Sequence, residues 1–251
     1  MKRTSSPGIV LRRWPYSENS QVLRVLTPKL GAVSILAKGV NRLKSGQIGI
    51  FDTWALVEME FGGKDGAEMF NLYAGKLLDR MSGLARDTRR LVATGILAEL
   101  AELGSPPGQP APRLFLWLQR WLQHLADGAA VDPVLCAAIL EGLEELGLQP
   151  GLEIPTATPQ KATLWFSPAA GGLDVPQDGC RPDQHARRIS RQDLALLQKL
   201  RAEPGFALDA DCENTEACLT ILGEFLHYHL ERPPKAWQLL HRQGVGQVLG
   251  P

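Results

Sequence analysis

The chain has 251 residues, 44% apolar and 22% charged, which is ordinary globular composition and length enough for one large domain or two to three small ones. No run of eighteen apolar residues occurs, which excludes a membrane-spanning helix, and the opening MKRTSSPGIVLRRWPYSENS lacks the apolar stretch of a secretory leader, so a cytoplasmic location is expected. The formal net charge of zero conceals an asymmetry: residues 1–50 carry nine lysines and arginines against Glu18 alone, a net +8 that the remaining 201 residues balance with −8. Such a division predicts a polyanionic partner for the basic part.

Residues 8–62 read as strands. GIVLRR is apolar and β-branched, QVLRVLT alternates, and AVSILAKGV follows Pro28 and Gly31. NRLKSGQIGIF reads as a polar loop. In TWALVEMEF, Trp54, Leu56, Glu58 and Glu60 alternate with Ala55, Val57, Met59 and Phe61, which predicts a strand that starts at Trp54 or earlier. A turn cluster at 62–66 precedes AEMFNLYAGKLL. Short strands with no intervening long helix predict a small barrel or sandwich.

The period changes near residue 80. DTRRLVATGILAELAELG, RLFLWLQRWLQHLADG and PVLCAAILEGLEELG have helical spacing, with Gly104 and Pro106-Pro107 closing the first. Residues 150–188 are rich in Pro and Gly around the brief apolar centre Leu164-Trp165-Phe166. They predict a loop-rich insert with a two-stranded element. Two further helices follow, one capped by Ser190 with Asp193 and one stopped by Pro233-Pro234; the tail from Trp237 onward is expected to fray. The resulting expectation is an α+β multidomain chain: a β domain over 1–79, a helical domain from 80–149 and 189–251, and the insert at 150–188.

Catalytic patterns are missing from the sequence. It contains no phosphate-binding GxxxxGK[ST] loop, no GxSxG elbow and no HExxH pair, so no enzyme is expected. Cys136, Cys180, Cys212 and Cys218 include no pair spaced by two residues and read as reduced thiols.

The basic segment carries the chemistry. Lysine and arginine neutralise a phosphate backbone, and aromatic rings stack on bases. The candidate DNA-binding residues are Arg12, Arg13, Trp14, Tyr16, Arg24, Lys38, Arg42 and Lys44. Phe51 and Trp54 are each open to a core or a stacking role. The cations are expected to converge in one groove. A weaker candidate is a peptide groove on the second helix, with Arg113 and Arg120 as a basic rim and Trp117 and Trp121 as its apolar floor, for an acidic peptide.

The opening GIVLRRWPYSENSQVLRVLTPKLGAVSILAKGVNRLKSG resembles the start of the RecO DNA-repair proteins: a strand running into a basic segment, Pro15-Tyr16, Leu26-Thr27, Gly31, Ala37-Lys38-Gly39, and a basic loop from Asn41 to Ser45. FDTWALVEMEF, WFSPAAGGL and FLHYHLERPPKAWQLLHR are similar to later segments of that family, in the same order. The resemblance implies an N-terminal OB-fold barrel, a helical bundle and a small zinc-binding insert. It implies binding and annealing of single- and double-stranded DNA, contacts with RecR and with the acidic tail of the single-strand-binding protein, and promotion of RecA loading. One departure stands out. The family's two Cys-x-x-Cys pairs flank the FSP–GGL segment, whereas here LEIPTATPQ has no cysteine and DVPQDGCRP has only Cys180. One thiolate cannot fill a four-ligand site, so no structural zinc and no other cofactor is expected, with the degenerate insert packed around Trp165 and Phe166 or mobile.

Overall fold

In the computed structural model, residues 2–42, 45–64, 68–209, 212 and 215–242 are described. Five strands, β1 (Lys2–Ser17), β2 (Ser20–Thr27), β3 (Gly31–Ala37), β4 (Leu56–Gly63) and β5 (Met69–Asp79), close into a barrel with neighbours in the order β1-β2-β3-β5-β4. Only β3 and β5 run parallel; the other pairs, including the closing β1–β4 pair, are antiparallel. This is the OB-fold arrangement. Alternation places Leu23, Val25, Val33, Ile35, Val57, Met59 and Phe61 inside the barrel. Phe51 is 1% exposed and belongs to that core, seated where Gly75 of β5 has no side chain; a Cβ there would overlap its ring.

Helices α1 (Thr88–Leu103) and α2 (Pro112–Asp127) form one compact unit with the barrel. The Asp87 side chain caps α1 by accepting the Arg90 amide at 2.8 Å, and that hydrogen bond holds its carboxyl below the usual carboxylate range. Arg90 in turn donates to the Leu125 carbonyl of α2. The link between the two helices is laced to the β2–β3 turn by Ala32 N–H to Ser105 O (3.0 Å), Gly108 N–H to Leu30 O (2.9 Å) and Ala111 N–H to Pro28 O (3.0 Å). The described residues therefore divide at 127/128, although the helices begin near residue 80, where the sequence reading set its first boundary.

The second unit is built on α3 (Val131–Glu145), which packs against α4 (Arg191–Ala202) and α5 (Thr215–His229). Ser190 caps α4, accepting the Asp193 amide at 3.0 Å. The start of the tail is ordered as α6 (Trp237–Arg242), not frayed, because the buried Trp237 ring fills the space beside Gly223 of α5. The insert holds a three-stranded sheet, one strand more than expected: β6 (Trp165–Ser167) lies between β7 (Gly172–Asp174) and β8 (Arg187–Arg188). It is fixed to α5 by the Phe166–Phe225 ring pair at 5.8 Å and by Arg187 Nε on Glu224 at 2.9 Å. His229 Nε2 adds a hydrogen bond to Pro168 O at 2.9 Å.

Candidate nucleic-acid interface

The register of β1 against β2 explains how a strand that begins as core ends as a charged surface. Val10 pairs with Val25, but the next pair is Arg12 with Arg24, so Leu11 is the extra residue of a β-bulge. Without the bulge, Arg12 would share the inward face of Val10. With it, Arg12 turns outward beside Arg24, and Leu11 is buried. The outer face of β1, β2 and β3 then reads in rows, because partners across a ladder share a face. The row Ile9, Leu26, Ala32 is fully buried in the helix-packed part of the unit. The next row is Arg12, Arg24, Ser34, and the one after it Trp14, Val22, Leu36.

The first fifty residues do not present one uninterrupted cationic groove. Arg12 Nη2 lies 2.6 Å from Glu102 Oε2, and Arg24 Nε lies 2.9 Å from Glu102 Oε1; Arg24 also reaches Ser34 Oγ at 3.4 Å. Glu102 stands in the last turn of α1, where a negative charge opposes the helix dipole, and two guanidiniums offset that cost. Arg13, opposite the inward Leu23, reaches Asp52 at 3.1 Å, and Asp52 also pairs with Arg80. Arg12, Arg13 and Arg24 are thus gathered with Arg80 into two clusters, each with two arginines sharing one carboxylate, while Arg3 pairs separately with Glu60 at 3.2 Å.

Beyond these clusters, Trp14 and Tyr16 are 44% and 60% exposed near the β1–β2 turn. Lys38 and Arg42 are exposed in the turns after β3, where Gly39 adopts φ +68°. Lys44 lies outside the described residues. Trp54 is not in a strand. It precedes β4 with φ +69°, a left-handed conformation that costs a non-glycine residue about 1–2 kcal/mol. Its amide donates to Val10 O at 2.6 Å and the Val10 amide donates to Ala55 O at 3.1 Å, which pins the turn against β1.

Sequence reasoning missed Glu102, Asp52, Arg80 and the bulge. The only trace of the bulge in the sequence is the run Ile9-Val10-Leu11, which breaks a period of two just before Arg12. The peptide groove on α2 is corrected. Trp117 and Trp121 are 2% and 1% exposed and form part of the buried stripe by which α2 packs in its unit, so they cannot floor an open groove between the exposed Arg113 and Arg120.

Among the described residues no three histidines, cysteines or acids gather as a metal-binding group. Cys180 is exposed, at the end of a turn in which the Gly179 amide bonds Pro176 O at 3.0 Å; the matching upstream turn, Thr158 N–H to Pro155 O at 2.9 Å, carries no thiol. Trp165 Nε1 donates to Gly179 O at 3.4 Å, and Ser167 Oγ donates to Asp183. That hydroxyl is the main reason the Asp183 carboxyl sits below its usual range. Elsewhere, burial pushes the Cys136 thiol well up and the Cys218 thiol to about 12, so neither is a thiolate nucleophile at neutral pH.

Two family models cover nearly all of the described chain: "Recombination protein O N terminal" over residues 1–81 and "Recombination protein O C terminal" over 85–238. Three relatives, each named DNA repair protein RecO, illustrate the similarity. That of Rhodopirellula baltica is 31% identical over 82% of this chain and 79% of its own. That of Anaeromyxobacter sp. (strain K) is 28% identical over the whole of both. That of Moorella thermoacetica is 26% identical over 97% and 92%.

Proposed function

The chain belongs to the RecO family of DNA repair proteins, and on that premise we propose that it is a non-enzymatic recombination mediator that holds single-stranded DNA on the outer face of β1, β2 and β3. The observation that carries the reading is the row Arg12, Arg24, Ser34 set beside exposed Trp14 and Tyr16 on a closed barrel. Two guanidiniums aimed at one carboxylate present the donor fork that a phosphate also takes, so a backbone phosphate displaces Glu102 as DNA arrives. Trp14 and Tyr16 offer ring faces to bases, and Lys38 and Arg42 extend the track. Double-stranded DNA, annealing of complementary strands, transfer of the strand to RecA, contacts with RecR and with the acidic tail of the single-strand-binding protein, and a cytoplasmic, nucleoid-associated location belong to the same proposal. They rest on the family resemblance.

The test is affinity for a single strand as a function of salt. Each neutralised phosphate contributes about −0.7 to the slope of log affinity against log salt, so engagement of Arg12, Arg24, Lys38 and Arg42 gives a slope near −3. A flat dependence overturns the reading, and cleavage of labelled DNA that a point substitution abolishes overturns its non-enzymatic part. A second reading, an adaptor whose barrel binds an acidic protein, is favoured by one observation: the anion on Arg12 and Arg24 is itself a protein carboxylate. Under it, an acidic peptide binds and DNA fails to compete.

We propose also that the insert works without zinc. Elemental analysis of the purified chain is expected to find well under one zinc per molecule, and a chelator is expected to leave the melting temperature unchanged. One zinc per chain, lost with a fall in melting temperature, would refute this.

A further inference from the structure

Trp54 raises a question that the DNA-binding surface above does not answer. A tryptophan occupies a left-handed turn that glycine would adopt without cost, and two backbone hydrogen bonds press that turn against β1. The half-buried Trp54 separates two hollows in the barrel unit. One, of about 380 Å³, lies between Trp54, Arg12 and Glu102. The other, of about 350 Å³, lies between Trp54, Arg13 and Arg80. Arg13 borders both hollows; the first also carries Glu99 and the second Asp52, so on each side of the tryptophan arginines stand beside carboxylates.

We infer that Trp54 is the base-stacking residue of a single-strand site running alongside β1, with one phosphate taken by Arg12 on one flank and another by Arg13 and Arg80 on the other. The ligand class is single-stranded nucleic acid read without sequence preference, because every base offers a π face to an indole while the arginines take the backbone. The site rests on the DNA-binding reading and extends it to the β4 side of β1, where Trp54 N–H meets Val10 O. A structural alternative is that the ring only packs against the small residues Gly95 and Ala98 of α1, which line the first hollow.

Two substitutions separate these roles. Trp54→Leu keeps apolar bulk but removes the ring, and Trp54→Phe keeps a ring. Binding of a fluorescent thymidine oligonucleotide, followed by anisotropy, is expected to weaken by about 5- to 150-fold in Trp54→Leu and to stay within about threefold of wild type in Trp54→Phe. Melting temperatures of both are expected to match wild type. Equal binding by wild type and Trp54→Leu overturns the inference and leaves the DNA-binding reading intact. A wild-type chain that does not bind the oligonucleotide overturns both. Should Trp54→Leu not fold, photocrosslinking of wild type to a 5-bromouracil strand decides: adducts are expected on the peptide bearing Trp54, and adducts confined to Trp14 or Tyr16 overturn the inference.

Discussion

The double substitution Arg12→Glu, Arg24→Glu is expected to lower affinity for single-stranded DNA by about 100-fold or more at low salt, the largest functional loss from any pair of changes on the barrel. Each guanidinium–phosphate contact is a charge-assisted bond worth about 1.5–3 kcal/mol, and every 1.4 kcal/mol is tenfold in affinity. Reversal also leaves Glu102 among like charges where it now joins two cations. The salt slope should become shallower by about 1.4, the share of two phosphates on a single strand. Glu102→Gln should act in the opposite direction, raising affinity and steepening the slope, because it frees both arginines without removing either. The two variants read together, by anisotropy at several salt concentrations, distinguish a phosphate seat from a structural ion pair. A structural pair predicts that Glu102→Gln lowers stability and leaves binding unchanged.

Gly31→Ala is expected to destabilise the barrel unit by about 2–5 kcal/mol. Gly31 has φ +64°, where an L side chain costs about 1–2 kcal/mol, and a Cβ there would lie 2.5 Å from Pro106 O and 2.8 Å from Gln109 O. Those oxygens belong to the link between α1 and α2, which is tied to the β2–β3 turn by three backbone hydrogen bonds, so relief requires the helices to lift from the strands at a further overpacking cost of about 1–3 kcal/mol. Gly108→Ala is the control. Its φ is +82°, but nothing lies within 4 Å of its Cβ position, so only the conformational cost of about 1–2 kcal/mol applies. Urea denaturation of the two variants checks the difference; equal midpoints would show that the turn and the link are not mutually locked. Because Glu102 immediately precedes this link, Gly31→Ala should also disturb the hold on Arg12 and Arg24.

Much of the architecture was legible from local pattern. The alternation of Val57, Met59 and Phe61, the helical spacing of Leu114, Trp117, Leu118, Trp121 and Leu125, and the Ser190 cap each express a periodicity or capping preference that acts over a few residues. Where two alternatives shared one local signal, the sequence could not choose between them. Phe51 and Trp54 are both aromatic and lie three positions apart, yet one fills the barrel opposite Gly75 and the other stands in a left-handed turn at its rim. Trp117 and Trp121 could be read as a packing stripe or, more weakly, as a groove floor, and their burial in the folded unit decides for the stripe.

Taken by itself, the sequence determined that a strand-rich basic segment precedes a helical, acidic remainder, and that the insert lacks the thiols for a four-ligand metal site. These follow from composition and short-range order, which do not depend on what packs where. The tertiary structure alone decided which cations meet which anions. Glu102 is 78 residues from Arg24 along the chain, and only the bulge at Leu11 and the docking of α1 bring its carboxylate to two arginines at once. Charge interactions fall off over a few ångströms in space and are indifferent to separation in sequence, so the count of charges was readable from the outset and their pairing was not.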